Sequence, residues 1–319
     1  MTRNDDIRIF SGTAHPELAT KICEQLNVPV CRADIEPFPD GETHVRVIDH
    51  VRGRDCYIIQ STCPPVNENL MELLIFLDCL KRASAKRVTV VMPYFGYARQ
   101  DRKSEGRTPI TAKLVANLLT TASATRLLAI DLHAQQVQGF FDIPVDHLTA
   151  EPVIAEYFKS LDLPNKVIVS PDVGNMKTAT IYAEDLDGEL AVIDKRRKSG
   201  TEVDATRIIG EVEGKDVLMF DDMISTAGTI CSAAYLVKSH GAKSIRVAAT
   251  HGVFSGPAIQ RLKEAPIDEI VVTDTIPVSD KVKQLDNLKV VTVAGLLSTA
   301  IDCIHNYESV SAIFKQRLI

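Results

Sequence analysis

The chain has 319 residues, room for two domains of ordinary size, and its 45% hydrophobic and 24% charged content is that of a soluble globular protein. A net charge of −6, the absence of Trp and an aromatic content of 5% argue against a nucleic-acid footprint or a base-stacking platform. The opening MTRNDDIRIF lacks a signal peptide's apolar core, no apolar run is long enough to span a membrane, and the seven scattered Cys form no C-x-x-C pair, which suits reduced thiols in a cytoplasmic protein rather than a disulfide frame or a zinc site.

Short apolar runs then alternate with amphipathic helical patterns. Predicted strand 56–60 leads to helix 70–82, strand 87–92 to helix 110–122, and strand 127–131 to helix 152–160. Strands 166–170, 190–193 and 217–220 follow, then helix 230–240 and strands 245–250, 269–273 and 289–293. Such alternation means βαβ units: an α/β fold of mainly parallel sheets covered by helices on both faces. There is also an internal echo. Gly53-Arg54-Asp55-Cys56-Tyr57-Ile58-Ile59-Gln60 parallels Gly214-Lys215-Asp216-Val217-Leu218-Met219-Phe220-Asp221, and each leads through a helix to a second strand, introduced by Ala85-Lys86-Arg87-Val88 or Ala242-Lys243-Ser244-Ile245. The halves read as two copies of one unit, with a boundary near Ala150 that divides the chain into residues 1–150 and 151–319.

Taken as residues alone, several segments admit both a structural and a chemical reading. Phe38-Pro39-Asp40-Gly41-Glu42 is an exposed turn. The segment 94–107, YFGYARQDRKSEGR, follows a strand and carries Arg99, Arg102, Lys103 and Arg107. Such cations either face water or bind anions, and strand C-termini are where open α/β sheets place ligands. His133 stands two residues past Asp131 at another strand end, a placement suited to a cation or a nucleotide phosphate as well as to a structural role. Lys195, Arg196, Arg197 and Lys198 form either a solvated loop or a cationic loop that closes on a transferring phosphoryl group.

The most informative stretch is 217–229, VLMFDDMISTAGT. A short buried strand, 217–220, runs into Asp221 and Asp222, and Ser225-Thr226-Ala227-Gly228-Thr229 opens a helix. The small hydroxyl-rich turn can converge backbone N–H groups on one phosphate, helped by the helix dipole. Two acids beside it suit a vicinal diol or a diol-bound metal. A phosphorylated sugar meets both requirements.

These segments together resemble the ribose-phosphate pyrophosphokinases (PRPP synthetases) of class I, bacterial type, from Phe10-Ser11-Gly12 to Glu308-Ser309-Val310-Ser311. The pieces that carry the likeness are Phe38–Glu42, the run from Tyr94 to Arg102, the DxHxxQxQGFF segment from Asp131 to Phe141, the cationic loop and the 217–229 loop. The resemblance implies two similar phosphoribosyltransferase-like domains, the first carrying ATP-binding segments and the second the ribose-5-phosphate and catalytic loops, with the last residues packing back on the first. It implies ATP contacts for Phe38, Asp40, Glu42, Arg99, Gln100 and Asp101, the first three working on a neighbouring subunit's site. Magnesium contacts fall to His133 and Asp172, and transition-state contacts to Lys195 and Arg197. Asp221 and Asp222 take the ribose hydroxyls, while Ser225, Thr226, Ala227, Gly228 and Thr229 take the 5-phosphate. Arg52, Ser84, Ser309 and Ser311 fall near the class's regulatory phosphate/ADP site. Also implied are Mg2+ as cofactor, inorganic phosphate as activator, ADP as inhibitor and a homo-oligomer, a hexamer built from dimers.

Two departures stand out. Ser225 replaces the Asp usual in the sugar-phosphate loop, and Asn175-Met176-Lys177 follows Asp172-Val173-Gly174 where the family has a second glycine and further cations. Asn tolerates a left-handed backbone better than most residues, so the turn is expected to survive the loss of that glycine. The expected reaction is attack of the anomeric hydroxyl of ribose 5-phosphate on the β-phosphorus of Mg-ATP, giving PRPP and AMP. A catalytically silent relative or a type I phosphoribosyltransferase are the alternatives. The first is disfavoured by retention of the cationic loop and acid pair, the second by segments that a PRPP-consuming enzyme would not need.

Overall fold

The computed structural model describes residues 6–195 and 206–315, with Lys195, Thr206, Phe314 and Lys315 described as backbone only. They form two compact units, the first built from residues up to Thr149, Thr275–Pro277 and the segment from Val293 onward, the second from Ala150–Asp274 and Val278–Thr292. The first unit opens with β1 (Ile7–Ser11), α1 (Pro16–Leu26), β2 (Ala33–Pro37) and β3 (Thr43–Val47). It continues with β4 (Asp55–Ile59), α2 (Val66–Arg82), β5 (Arg87–Met92), α3 (Thr111–Thr121), β6 (Arg126–Ile130) and β7 (Val145–Leu148). The second contains α4 (Glu151–Lys159), β8 (Lys166–Ser170), α5 (Met176–Asp185), β9 (Glu189–Lys195), β10 (Thr206–Ile209) and β11 (Asp216–Ile224). After these come α6 (Gly228–Ser239), β12 (Ser244–Gly252), α7 (Ala258–Glu264), β13 (Glu269–Thr273) and β14 (Leu288–Val291). Helices α8 (Ala294–His305) and α9 (Ala312–Lys315) return to the first unit.

Both sheets follow one plan. The first unit's sheet has the order β1-β4-β5-β6-β7, all parallel, and the second repeats it as β8-β11-β12-β13-β14, extended by β9 and the antiparallel β10. Between the first and second strand of each copy lies an antiparallel pair: β2/β3 as a separate ribbon, β9/β10 on the sheet edge. Because the parallel strands are covered on both faces they read as continuous apolar runs, such as the fully buried DCYII of β4. Helices supply the cover at helical spacing. Leu70, Leu73, Phe76, Leu77 and Leu80 of α2 are buried, as are Ile230, Ala233, Ala234 and Val237 of α6.

The sequence echo has a structural cause. Gly53 donates to the Ser84 carbonyl (2.8 Å) as Gly214 does to that of Gly241 (2.9 Å), and Lys86 donates to the Arg54 carbonyl as Lys243 does to that of Lys215 (both 2.9 Å). Asp55 and Asp216, each the first residue of its strand, are both buried and both take a cation from the next strand's entry, Arg87 and Lys243.

Several boundaries differ from the expected ones. β11 does not stop at Phe220: it continues to Ile224, because β12 extends to Gly252 and pairs Asp221 with Ala249 and Ile224 with Gly252. The acid pair is therefore inside a strand. α2 begins at Val66, four residues earlier than its apolar stripe, and the buried Asn69 anchors its first turn by donating to the Cys63 carbonyl at 2.7 Å. Strands β1, β2, β3, β7 and β10 were not anticipated. β2 and β3 form a ribbon whose inner side chains, Ala33, Ile35, Val45 and Val47, pack on the first unit's core.

Candidate active site

In the second unit, β11 delivers the acid pair and then the turn 225–227. Ala227 takes a left-handed conformation (φ 59°, ψ 9°) and caps α6. The turn is braced from behind. Val253 and Phe254 N–H donate to the Ile224 carbonyl (3.1 and 2.9 Å), Ser255 N–H donates to that of Ser225 (2.8 Å), and Arg261 Nη1 donates to that of Thr226 (3.0 Å). The 253–261 segment thus engages three successive carbonyls of the turn, while the first-turn N–H groups of α6 have no intrahelical acceptor, an arrangement that suits an anion. Gly228 explains part of the packing: a Cβ there would lie 3.3 Å from Arg261 Nη1. Thr226 and Thr229 are exposed, with Ser225 and Gly228 partly so.

Asp221 and Asp222 are partly buried. Burial, then the neighbouring charge of Asp222 and more weakly that of Asp172, pushes the Asp221 carboxyl well above the usual carboxylate range. Hydroxyl donors or a cation would relieve that cost. Asp172 follows β8 and caps a short 3₁₀ turn, accepting from Asn175 N–H at 3.0 Å, while Ser170 Oγ donates to the Asp172 carbonyl at 2.6 Å. The turn survives without the second glycine, and without a left-handed residue: Asn175 sits at φ −92°, ψ 4°, a conformation open to any residue. Its side chain is what the position uses: Nδ2 donates to the Phe220 carbonyl at 2.7 Å and lies 3.5 Å from Asp221 Oδ1. Lys195 closes β9, its backbone paired with Thr206. Its side chain and all of Arg197 lie outside the described residues.

In the first unit, the loop after β5 is anchored by buried Phe95 and Ala98 and turned by a left-handed Tyr97 (φ 67°), leaving Arg99 and Gln100 exposed. They line one side of a cleft of ≈ 520 Å³ together with Asn67, Tyr94 and Tyr97. Thr111 Oγ1 donates to Gln100 Oε1 at 2.5 Å, and Gln136 Nε2 donates to Asp101 Oδ2 at 2.7 Å, so the two quoted motifs of this unit are joined directly. His133 is exposed just beyond β6. Its segment is held by His147, whose Nε2 accepts from Leu132 N–H at 2.9 Å; burial pushes the His147 pKa down, partly opposed by Asp131, in keeping with a neutral acceptor.

Phe38, Asp40 and Glu42 form the tip of the β2/β3 ribbon. Phe38 N–H donates to the Glu42 carbonyl at 2.7 Å, Asp40 Oδ1 accepts from Glu42 N–H at 3.2 Å, and the Phe38 ring is 48% exposed. Arg52 and Ser84 are exposed at the entries to β4 and β5; Ser309 and Ser311, beyond α8, stand 2.8 Å apart through their hydroxyls. Among the described residues no group of three or more His, Cys, Asp or Glu could hold a metal ion. Sequence reasoning missed Arg261 and His147, which carry no motif, and misjudged what Asn175 contributes.

Residues 7–123 match the N-terminal domain of ribose phosphate pyrophosphokinase, and residues 201–315 match the phosphoribosyl synthetase-associated domain. A ribose-phosphate pyrophosphokinase of Rhodopirellula baltica is 57% identical over 315 residues, covering 98% of this chain and 99% of that one. One of Fusobacterium nucleatum is 51% identical over 316 residues, covering 98% and 100%. The crystal structure of phosphoribosylpyrophosphate synthetase from Mycobacterium smegmatis superimposes with a TM-score of 0.89 at 43% identity, covering 95% of this chain and 100% of that one.

Proposed function

The chain belongs to the ribose-phosphate pyrophosphokinase family, and on that footing we propose that it transfers the intact β,γ-pyrophosphoryl group of Mg-ATP to the 1-hydroxyl of ribose 5-phosphate. The products are PRPP and AMP, and the product feeds nucleotide biosynthesis. The carrying observation is the second unit's pairing of two partly buried carboxylates, one of them costly to ionise, with a braced helix start a few residues on. The acids suit the ribose hydroxyls and the helix start suits the 5-phosphate, so one substrate meets both at once.

In this reading Ser225–Thr229 hold the phosphate through N–H groups and hydroxyls, which is why Ser225 can stand where an acid is usual. Arg99, Gln100 and Asp101, with Phe38, Asp40 and Glu42 of a neighbouring subunit, hold ATP. His133 and Asp172 take the magnesium that accompanies ATP, which offsets charge on the polyphosphate. Lys195 and Arg197 act on the charge that builds at the transferring group, so Lys195→Ala should cut turnover by several orders of magnitude with modest loss of ATP affinity. We further assign a cytoplasmic location and a hexamer built from dimers, activated by inorganic phosphate and inhibited by ADP near Arg52, Ser84, Ser309 and Ser311.

The test is to incubate the pure protein with magnesium, phosphate, ATP and ribose 5-phosphate and measure AMP and PRPP. Equal amounts of the two are expected. Absence of AMP at every phosphate concentration would overturn the assignment, and base-dependent consumption of PRPP would replace it with a phosphoribosyltransferase.

A further inference from the structure

We infer that Asn175 is a positioning residue for the pentose: its side-chain amide ties the Asp172 turn to the end of β11 and sets the direction in which the Asp221 carboxylate meets the sugar hydroxyls. The inference rests on the pentose-phosphate reading of the acid pair given above.

Three observations carry it. The ladder between β8 and β11 runs only from Asp216 to Leu218, whereas the ladder with β12 continues to Ile224. Past Leu218 the β8 side of β11 therefore needs another partner, and Asn175 Nδ2 supplies a donor to the Phe220 carbonyl at 2.7 Å. The same nitrogen reaches Asp221 Oδ1 at 3.5 Å, while Asn175 N–H holds Asp172 Oδ1 at 3.0 Å. One residue thus touches Asp172, which the family resemblance assigns to magnesium, and Asp221, one of the two acids it assigns to the ribose. Its backbone, at φ −92°, makes no demand for glycine or for Asn, so the amide itself is the reason for the residue. Glycine, usual here in the family, makes none of these side-chain bonds.

A contact that orients a ground-state binding group changes KM more than kcat. Two full-length variants separate orientation from shape. Asn175→Gly removes the amide and restores the family's residue. Asn175→Asp keeps the shape, cannot donate to the Phe220 carbonyl, and sets a third carboxylate beside Asp221. Steady-state kinetics, calorimetric titration with ribose 5-phosphate and thermal melts would be run on both variants and the parent chain. For Asn175→Gly we expect KM and Kd for ribose 5-phosphate to rise about tenfold, the order of one lost hydrogen bond, with kcat, KM for ATP and Tm little changed. Asn175→Asp should lose more. Unchanged ribose 5-phosphate binding in Asn175→Asp overturns the inference, as does a parallel loss of Tm and of both substrates in the two variants. If the parent chain itself takes up no ribose 5-phosphate, the reading of the acid pair fails first and is seen to fail separately.

Discussion

Asp221 shows how binding chemistry costs stability. Its carboxyl has a raised pKa in the folded chain because it is partly buried beside Asp222 and Asp172. Folding therefore favours the protonated form. Below about pH 4, where an unfolded Asp is also protonated, the site costs nothing extra; as pH rises past that value the unfolded state ionises first and stability falls. Asp221→Asn should then melt higher than the parent chain at pH 8 in metal-free, ligand-free buffer, lose that gain near pH 4, and bind ribose 5-phosphate poorly. A lower melting point for the variant at pH 8 would contradict the account. Arg261 works in the opposite sense, as support without direct chemistry. Its guanidinium binds the Thr226 carbonyl and lies where only the missing side chain of Gly228 leaves full room, so Arg261→Ala should raise KM for ribose 5-phosphate by about tenfold, near the worth of one charge-assisted hydrogen bond, and leave KM for ATP unchanged.

The repeated βαβ plan places different chemistry at equivalent points. In each copy an antiparallel pair sits between the first two sheet strands. In the first unit its tip carries Phe38, Asp40 and Glu42; in the second, the cationic run starts at Lys195, the last residue of β9. The turn that introduces the next strand is also shared, and it requires a left-handed residue: Gly241 (φ 84°) in one copy, Ser84 (φ 64°) in the other. A left-handed Ser is strained where glycine is not. Ser84→Gly should raise stability by a few tenths to about 1 kcal/mol, read as a higher denaturant midpoint. If the variant also loses phosphate activation, Ser84's place in the regulatory site gains direct support; if only stability moves, the residue is a turn former alone.

The two units are joined by chain crossings at 275–277 and 293 as well as near Ala150. The segment after the last crossing is fastened to the first unit through a buried cluster. Asp55 pairs with both Arg87 and His305, the latter at 2.6 Å. Arg87 also donates to the carbonyls of Ile304 (3.2 Å) and His305 (3.3 Å) and lies 4.8 Å over the Tyr307 ring. Removing one partner of such a pair leaves a nearly buried charge behind, at a cost of about 3 kcal/mol. Arg87→Ala should accordingly lower Tm by several degrees and speed amide exchange across Ala294–His305; protection there equal to that of the parent chain would contradict the role. Light scattering with and without phosphate checks the proposed hexamer.

Residue pattern alone was enough for the α/β class, most of the parallel strands and the segments where chemistry concentrates, since apolar runs and glycine-containing turns are local signals that burial and backbone geometry enforce. The alternating ADIEP and THVRV of β2 and β3 were there to read as well, though short. What no local pattern held was the end of β11, which depends on how far β12 runs beside it, and the partners of Asn175, Arg261 and His147. Each of these makes its telling contact with a residue 15 to 46 positions away. Their meaning came from folding, because hydrogen bonds between distant segments exist only once the sheet has brought those segments together.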